Sequence, residues 1–310
     1  LKSTELSSGD ETLNLTVAND QTMADLNISD FETTNITVDD GDNTNEQFEI
    51  DTLTATGQTV NVSGSDNFKI DTGSAAGEVN AASLSGALDV ALNASLQDAT
   101  GGSGDDTFSN LGAAAATAVG NAGKDTFDLN GMAGAVSVTG GEGDDTVNVG
   151  ANVTDLTVQG GAGTDTVTFN GGGSLDFTGT TLDLTSVEVL DLDAAIDATE
   201  TLKVDGSSLD GQDLVITSTN PSSAEDLEVL LDNQTVNLSN LTVNTTAISD
   251  VTFDGNNLTS ADLTIIGTNG KDDITNPGSG NITFDGLGGD DTLVGGTGND
   301  DFSGGAGVDD

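Results

Sequence analysis

The sequence predicts an all-β protein built as a parallel β-solenoid, and three observations carry that expectation. Short hydrophobic–polar alternations recur along the chain, as in Leu13-Asn14-Leu15-Thr16-Val17 and Leu263-Thr264-Ile265-Ile266. Period-two alternation with Thr and Val enrichment and frequent turn residues reads as strands. Secondly, a glycine–aspartate motif returns at near-constant spacing, the mark of a repeat architecture. Thirdly, proline occurs only twice in 310 residues while glycine occurs 42 times. That balance suits tight turns between strands and argues against an extended disordered tract.

The motif fits Gly-x-x-Gly-x-Asp-x-U-x, with U a large apolar residue. Its copies begin at Gly101, Gly120, Gly140 and Gly160, and again at Gly267, Gly286, Gly295 and Gly304. The fourth slot holds Gly104, Gly123, Gly143, Gly163, Gly270, Gly289, Gly298 and Gly307. The sixth slot holds Asp106, Asp125, Asp145, Asp165, Asp272, Asp291, Asp300 and Asp309. Glycine permits left-handed backbone angles and lets carbonyls approach one point, and the aspartate adds a carboxylate there. The x-U-x tail is a short strand whose alternate side chains point in and out. Phe108, Phe127, Val147, Val167, Ile274, Leu293 and Phe302 are the expected inward residues. Gly-Asp hairpin turns without a metal are the competing reading, but they do not require Asp in one fixed slot.

These residues resemble the RTX, or haemolysin-type calcium-binding, repeat family. Copies at 101, 140, 160 and 295 match its Gly-Gly-x-Gly-x-Asp-x-U-x pattern in full; those at 120, 267 and 286 carry Asn121, Thr268 and Leu287 in the second slot. The resemblance covers under a quarter of the chain. It implies a right-handed parallel β-roll with calcium (Ca2+) held between successive turns. It also implies that the eight motif aspartates, with main-chain carbonyls of the glycine-rich turns, are the ligands.

Spacing refines the arrangement. In the family one coil is two nonapeptides, so ligands one coil apart stack along an edge. The first block steps by 19, 20 and 20 from Asp106 to Asp165, which predicts one ion row on one edge and an unrelated turn, Gly131-Met132-Ala133-Gly134, opposite. Val138, Val158 and Phe177 are then also inward. In the second block Asp300 lies midway between Asp291 and Asp309, which predicts ions on both edges. The expected organisation is a strand-rich region at 1–98, a roll at 99–179, a solenoid region at 180–266 and a second roll at 267–310. A β-sandwich competes for the regions without the motif. An echo of 21 residues joins Glu11-Thr12-Leu13-Asn14 to Glu32-Thr33-Thr34-Asn35, the length of one solenoid coil. Helix is expected to be scarce, with Ala87–Leu96 and Leu111–Val119 the best short candidates. The start at Leu1 and the stop at Asp310 inside a repeat read as cuts in a longer polypeptide.

Composition narrows the function classes. The chain carries 53 acidic and 5 basic residues, a net charge of −48, with no His, Cys, Trp or Tyr. Sites built on His or Cys are excluded, as are thiol and Ser–His catalysis. A nucleic-acid partner is not expected without a basic surface, nor a membrane span without a long apolar run. Many carboxylates suit a hard divalent cation. Acid pairs such as Asp39-Asp40 or Asp191/Asp193 are cheap among so many, and no aromatic sugar platform accompanies them, so catalysis is not expected. An ice-binding solenoid would show Thr/Asn ladders, and Thr297-Gly298-Asn299-Asp300 is a turn of that kind. The acidic, Thr- and Asn-rich composition is most similar to calcium-dependent S-layer proteins of RTX type. That resemblance implies a secreted cell-surface protein, exported by a type I route, which assembles into a homo-oligomeric lattice through calcium-bridged acidic faces. An RTX adhesin, or a calcium-folding module of a larger secreted enzyme or toxin, is the alternative.

Overall fold

The computed structural model describes residues 12–17, 22–28, 31–39, 47–55, 57–74, 77–91, 98–109, 116–170, 175–192, 201–217, 225–231, 236–243, 248–254, 263–275 and 280–310. These residues form a parallel β-solenoid, and every strand pairing given for them is parallel. A β-sandwich is thereby ruled out, because sandwiches pair their strands antiparallel. The chain divides into two compact units, Leu1–Asp165 and Thr166–Asp310.

In the first unit each coil contributes one strand to each of two sheets. One sheet stacks Thr12–Val17, Thr33–Val38, Thr59–Gly64, Glu78–Leu84, Asp98–Thr100, Ala116–Ala122, Gly134–Glu142 and Val153–Ala162. The other stacks Thr22–Asn27, Gln47–Thr54, Asn67–Ser74, Leu88–Ala91, Thr107–Ser109, Thr126–Leu129 and Thr146–Val149. The 21-residue echo is real register, since Thr12 pairs with Thr33 and Asn14 with Asn35. Inward-facing files make the core: Ile50, Ile70, Val90, Phe108, Phe127 and Val147 are all buried. Phe108 and Phe127 stack at 4.9 Å between ring centres and 2° between planes. A ring repeated in register meets its own copy one coil away, close to the strand spacing of about 4.8 Å. Outward, the Asn35 amide donates to Asn14 at 2.8 Å and that of Asn61 to Asn35 at 3.0 Å. This ladder lies on the first sheet of the first unit, whereas the Thr297-Gly298-Asn299-Asp300 turn belongs to the second unit.

The second unit stacks Leu175–Asp176, Thr201–Asp205, Glu225–Leu230, Ile248–Asp254, Asp272–Thr275 and Thr292–Val294 in one sheet. A second sheet runs through Val236–Asn237, Leu263–Ile266, Ile282–Asp285 and Asp301–Ser303. Val167, Phe177 and Ile274 are buried, whereas Leu293 and Phe302 face inward but are half-buried. A four-residue turn at Gly206–Leu209 is the one helix among the described residues.

Both helix candidates are corrected. Leu88–Ala91 is a strand paired in register with Phe68–Ile70, and Ala116–Ala122 is a strand between Asp98–Thr100 and Gly134–Glu142. The remainder of each candidate, 92–96 and 111–115, lies outside the described residues. Alanine favours a helix in isolation. Here Ala118 is fully buried and pairs with Ala99 and Val138, so stacking between coils overrides propensity. The Gly131 turn stands as expected: Met132 donates its N–H to the Leu129 carbonyl at 3.0 Å, and its side chain is buried.

Candidate metal centre

Each motif is the crossing from one sheet to the other. Gly120 and Gly140 sit near the ends of Ala116–Ala122 and Gly134–Glu142, while Asp125 and Asp145 directly precede Thr126–Leu129 and Thr146–Val149. Because the copies of the first block sit at the same point of successive coils, their aspartates form a file. Asp125 accepts the backbone N–H of Asp106 through Oδ1 at 2.8 Å, Asp145 that of Asp125 at 2.8 Å, and Asp165 that of Asp145 at 2.8 Å. Asp106 starts the row by accepting from Leu88 at 2.6 Å. The structure thus brings Asp106, Asp125, Asp145 and Asp165 together along one edge. Burial is nearly complete, at 0% exposure for Asp125 and 2% for Asp145.

The first glycine of each copy makes room for the second carboxylate oxygen. A methyl group on Gly120 would fall on Oδ2 of Asp125 and lie 2.7 Å from the carbonyl oxygen of Gly140. On Gly140 it would fall on Oδ2 of Asp145 and lie 2.6 Å from the carbonyl of Gly160. Carboxylate and carbonyl oxygens therefore converge on one point from adjacent coils. Neither Oδ2, on Asp125 or on Asp145, has a hydrogen-bond partner. A buried carboxylate oxygen without a donor costs free energy, and two oxygens of adjacent coils facing one another repel. A hard cation accepts both, so the donor set fits calcium-like chemistry. The fourth-slot glycines let the coils close up: Gly143 and Gly163 have φ of +124° and +142°, and a Cβ there would strike the carbonyl of Gly123 or Gly143 in the preceding coil. Gly101, Gly104 and Gly160 complete the framing of this edge.

In the second unit Asp291 repeats this pattern. Its Oδ1 accepts the Asp272 N–H at 3.0 Å, its Oδ2 is buried and unpaired, and the Gly286 position places that oxygen against the Gly304 carbonyl. Asp309 accepts from Asp291 at 3.2 Å and is exposed. Asp300 belongs to the other sheet edge, where it accepts from Ile282 at 3.0 Å. Over its Gly295 the nearest atom beyond Asp300 itself is Cε2 of the Phe302 ring, at 3.2 Å. The two-edge placement of Asp291 and Asp300 is as the spacing predicts. Gly270, Gly289, Gly298 and Gly307 frame these turns.

Second-slot substitutions have different outcomes. Asn121 and Leu287 take left-handed φ of 79° and 64°, matching Gly141 and Gly161 in their copies, and the Asn121 amide donates to the Gly101 carbonyl at 2.8 Å. Sequence reasoning missed the fifth slot. Asp105, Asp144 and Asp290 accept the N–H of Lys124, Thr164 and Val308 from the next coil at 2.8, 2.8 and 2.9 Å. Their bonds point forward while the sixth-slot bonds point back, so paired Asp-Asp letters were the available signal.

Electrostatics follow from burial. Desolvation pushes the carboxyls of Asp125 and Asp272 up to about 7 and those of Asp106 and Asp145 up to about 6, against the backbone N–H bonds, which pull the other way. Asp291 is raised by the same cause. Neighbouring acids of the file add to the rise at Asp125 and Asp145. Lys69 pairs with Glu49, Asp71 and Asp89, and Lys203 with Glu228, outside the motifs, whereas Lys271 pairs with Asp273 on either side of Asp272 in the chain. Glu49, Asp51 and Asp71 also approach within 4.8 Å of one another, but the Lys69 ammonium already sits among them, 2.9 Å from Asp71.

Comparison with protein-family models, curated proteins and solved structures returned no match. No described helix is long and apolar enough to cross a membrane. Of the acid pairs considered for catalysis, Asp40 and Asp193 lie outside the described residues.

Proposed function

We propose that this chain is a calcium-binding structural protein of the bacterial cell surface, of RTX and S-layer type, which folds on binding calcium and assembles into a lattice. One observation carries the calcium reading: buried, unpaired Oδ2 atoms of Asp125, Asp145 and Asp291 meet carbonyl oxygens of the adjacent coil over a glycine Cα. Asp125 with Gly140, Asp145 with Gly160 and Asp291 with Gly304 would hold the ions. At net −48 like-charge repulsion opposes compaction. Each ion bound only by the folded chain adds RT ln(1 + [Ca]/Kd), about 2.7 kcal/mol at a hundredfold excess over Kd. A few such sites match the whole stability of an ordinary domain. The reading is non-catalytic and extracellular, where calcium is abundant, with export of the open chain before it folds. Acids outside the file supply the faces through which calcium would bridge neighbouring copies.

A calcium titration followed by circular dichroism tests the folding claim. The β signal is expected to rise with calcium and to fall in chelator, and a chain already fully β in chelator would sink it. Asp145→Ala is expected to lower the bound-calcium count measured by mass spectrometry of the dialysed protein. Assembly is tested by electron microscopy of the chain with calcium, where ordered two-dimensional arrays are expected. A chain that binds calcium yet stays monomeric favours the adhesin reading.

A further inference from the structure

We infer that the Asp272 turn closes without a metal ion, with the Thr268 hydroxyl standing where a cation would otherwise be needed. The inference rests on the reading that Asp125, Asp145 and Asp291 hold calcium. By pattern alone Asp272 is equivalent to Asp125 and Asp145. Its surroundings are not. Thr268 donates its backbone N–H to Oδ2 of Asp272 at 2.8 Å and its Oγ1 hydroxyl to Oδ1 at 3.0 Å. The hydroxyl in turn accepts the Gly270 N–H at 3.1 Å. Both carboxylate oxygens are therefore satisfied inside one turn, and Thr268 and Asp272 are each 0% exposed.

A second observation is independent of these bonds. At Gly120, Gly140 and Gly286 the point over the glycine Cα is shared by a carboxylate oxygen and a carbonyl of the next coil. At Gly267 that point is shared by Oδ2 of Asp272 and the Phe284 ring, whose Cε2 and Cζ lie 3.1 Å away. A divalent ion gains nothing from an aromatic edge and needs several oxygens. The turn thus offers one carboxylate, already bonded, with a ring edge nearest it where the Gly120, Gly140 and Gly286 turns bring a carbonyl. The consequence is a metal-independent turn that starts the second block and presents the Asp272 N–H to Asp291 Oδ1 at 3.0 Å. It positions the first open site of that block before any ion arrives.

The test compares bound calcium in the full chain and in Asp272→Ala, Thr268→Val and Asp145→Ala. Asp145→Ala is expected to lose calcium; if it does not, the calcium reading itself fails. Asp272→Ala is expected to keep the parent count. Loss of an ion in Asp272→Ala with Asp145→Ala also losing, and both chains folded by circular dichroism, overturns the inference while leaving calcium binding intact. Should Asp272→Ala not fold, Thr268→Val decides. It keeps the carboxylate and the shape but removes the donor, so its melting temperature in saturating calcium is expected to fall by about 3–8 °C at an unchanged calcium count. A changed calcium count, or a fall that shrinks as calcium is raised further, would show an ion entering at Asp272 and overturns the proposal.

Discussion

Gly140→Ala is expected to destabilise the first unit by about 3–5 kcal/mol, while Gly131→Ala leaves it unchanged. Both are glycines in turns of the same coil, so glycine content alone does not separate them. The added methyl at position 140 falls on Oδ2 of Asp145 and 2.6 Å from the Gly160 carbonyl. Neither neighbour has room to move. Asp145 is held by the Asp125 N–H at 2.8 Å through its other oxygen, and the Gly160 carbonyl belongs to a paired strand. Relief therefore breaks a bond in the aspartate file or separates two coils. At position 131 a methyl meets nothing within 4 Å, and the backbone there is not left-handed. Losing glycine freedom in the unfolded chain even favours that variant slightly. Urea unfolding in excess calcium reads both. Equal midpoints for the two variants would refute the convergence of oxygens over Gly140.

How much of this was visible beforehand depends on whether a feature belongs to one coil or to two. Period-two strands, the fixed Asp slot and the 21-residue step are properties of single coils, and each reappears as structure: Thr12 pairs with Thr33, and Asp125 follows Asp106 in the file. Ala87–Leu96 and Leu111–Val119 misled because alanine's local preference is helical, whereas Ala118 is held by Ala99 and Val138 from flanking coils. The same limit hid the differences among the aspartates. Asp125 and Asp272 occupy identical slots, yet one Oδ2 is unpaired beneath a carbonyl and the other is bonded beneath a phenyl ring. Phe284 is 12 positions beyond Asp272, and no motif slot marks it as a neighbour of Gly267. Thr268 looked like a weakened second glycine because the pattern records what a slot lacks, not what its side chain bonds.

Asp125→Asn is expected to act in opposite directions with and without calcium. Burial raises the Asp125 carboxyl from its ordinary 3.8 to about 7 in the folded chain, so the fold favours the protonated form. The contribution of such a group to stability is fully present below about pH 4 and is lost as the pH rises through about 7. Asp106 and Asp145, raised to about 6, act with the same sign. In chelator the parent chain is therefore expected to gain β structure on acidification from about pH 8 to about pH 5, helped by the falling net charge. Asparagine is a permanent neutral isostere. Its carbonyl still accepts the Asp106 N–H, and its amide nitrogen, placed where Oδ2 stood, faces the Gly140 carbonyl as a donor. In chelator at pH 8 the variant should hold more β structure than the parent and depend less on pH. With calcium the order reverses, because the ion has lost its carboxylate. Binding near pH 6 should also release protons from the parent file, as ligand deprotonation requires, and fewer from the variant. Circular dichroism in chelator and thermal melts in calcium at pH 5, 6, 7 and 8 read these effects. A variant less stable than its parent under every condition would mean that the buried charge at Asp125 is compensated by the protein itself and not by an ion.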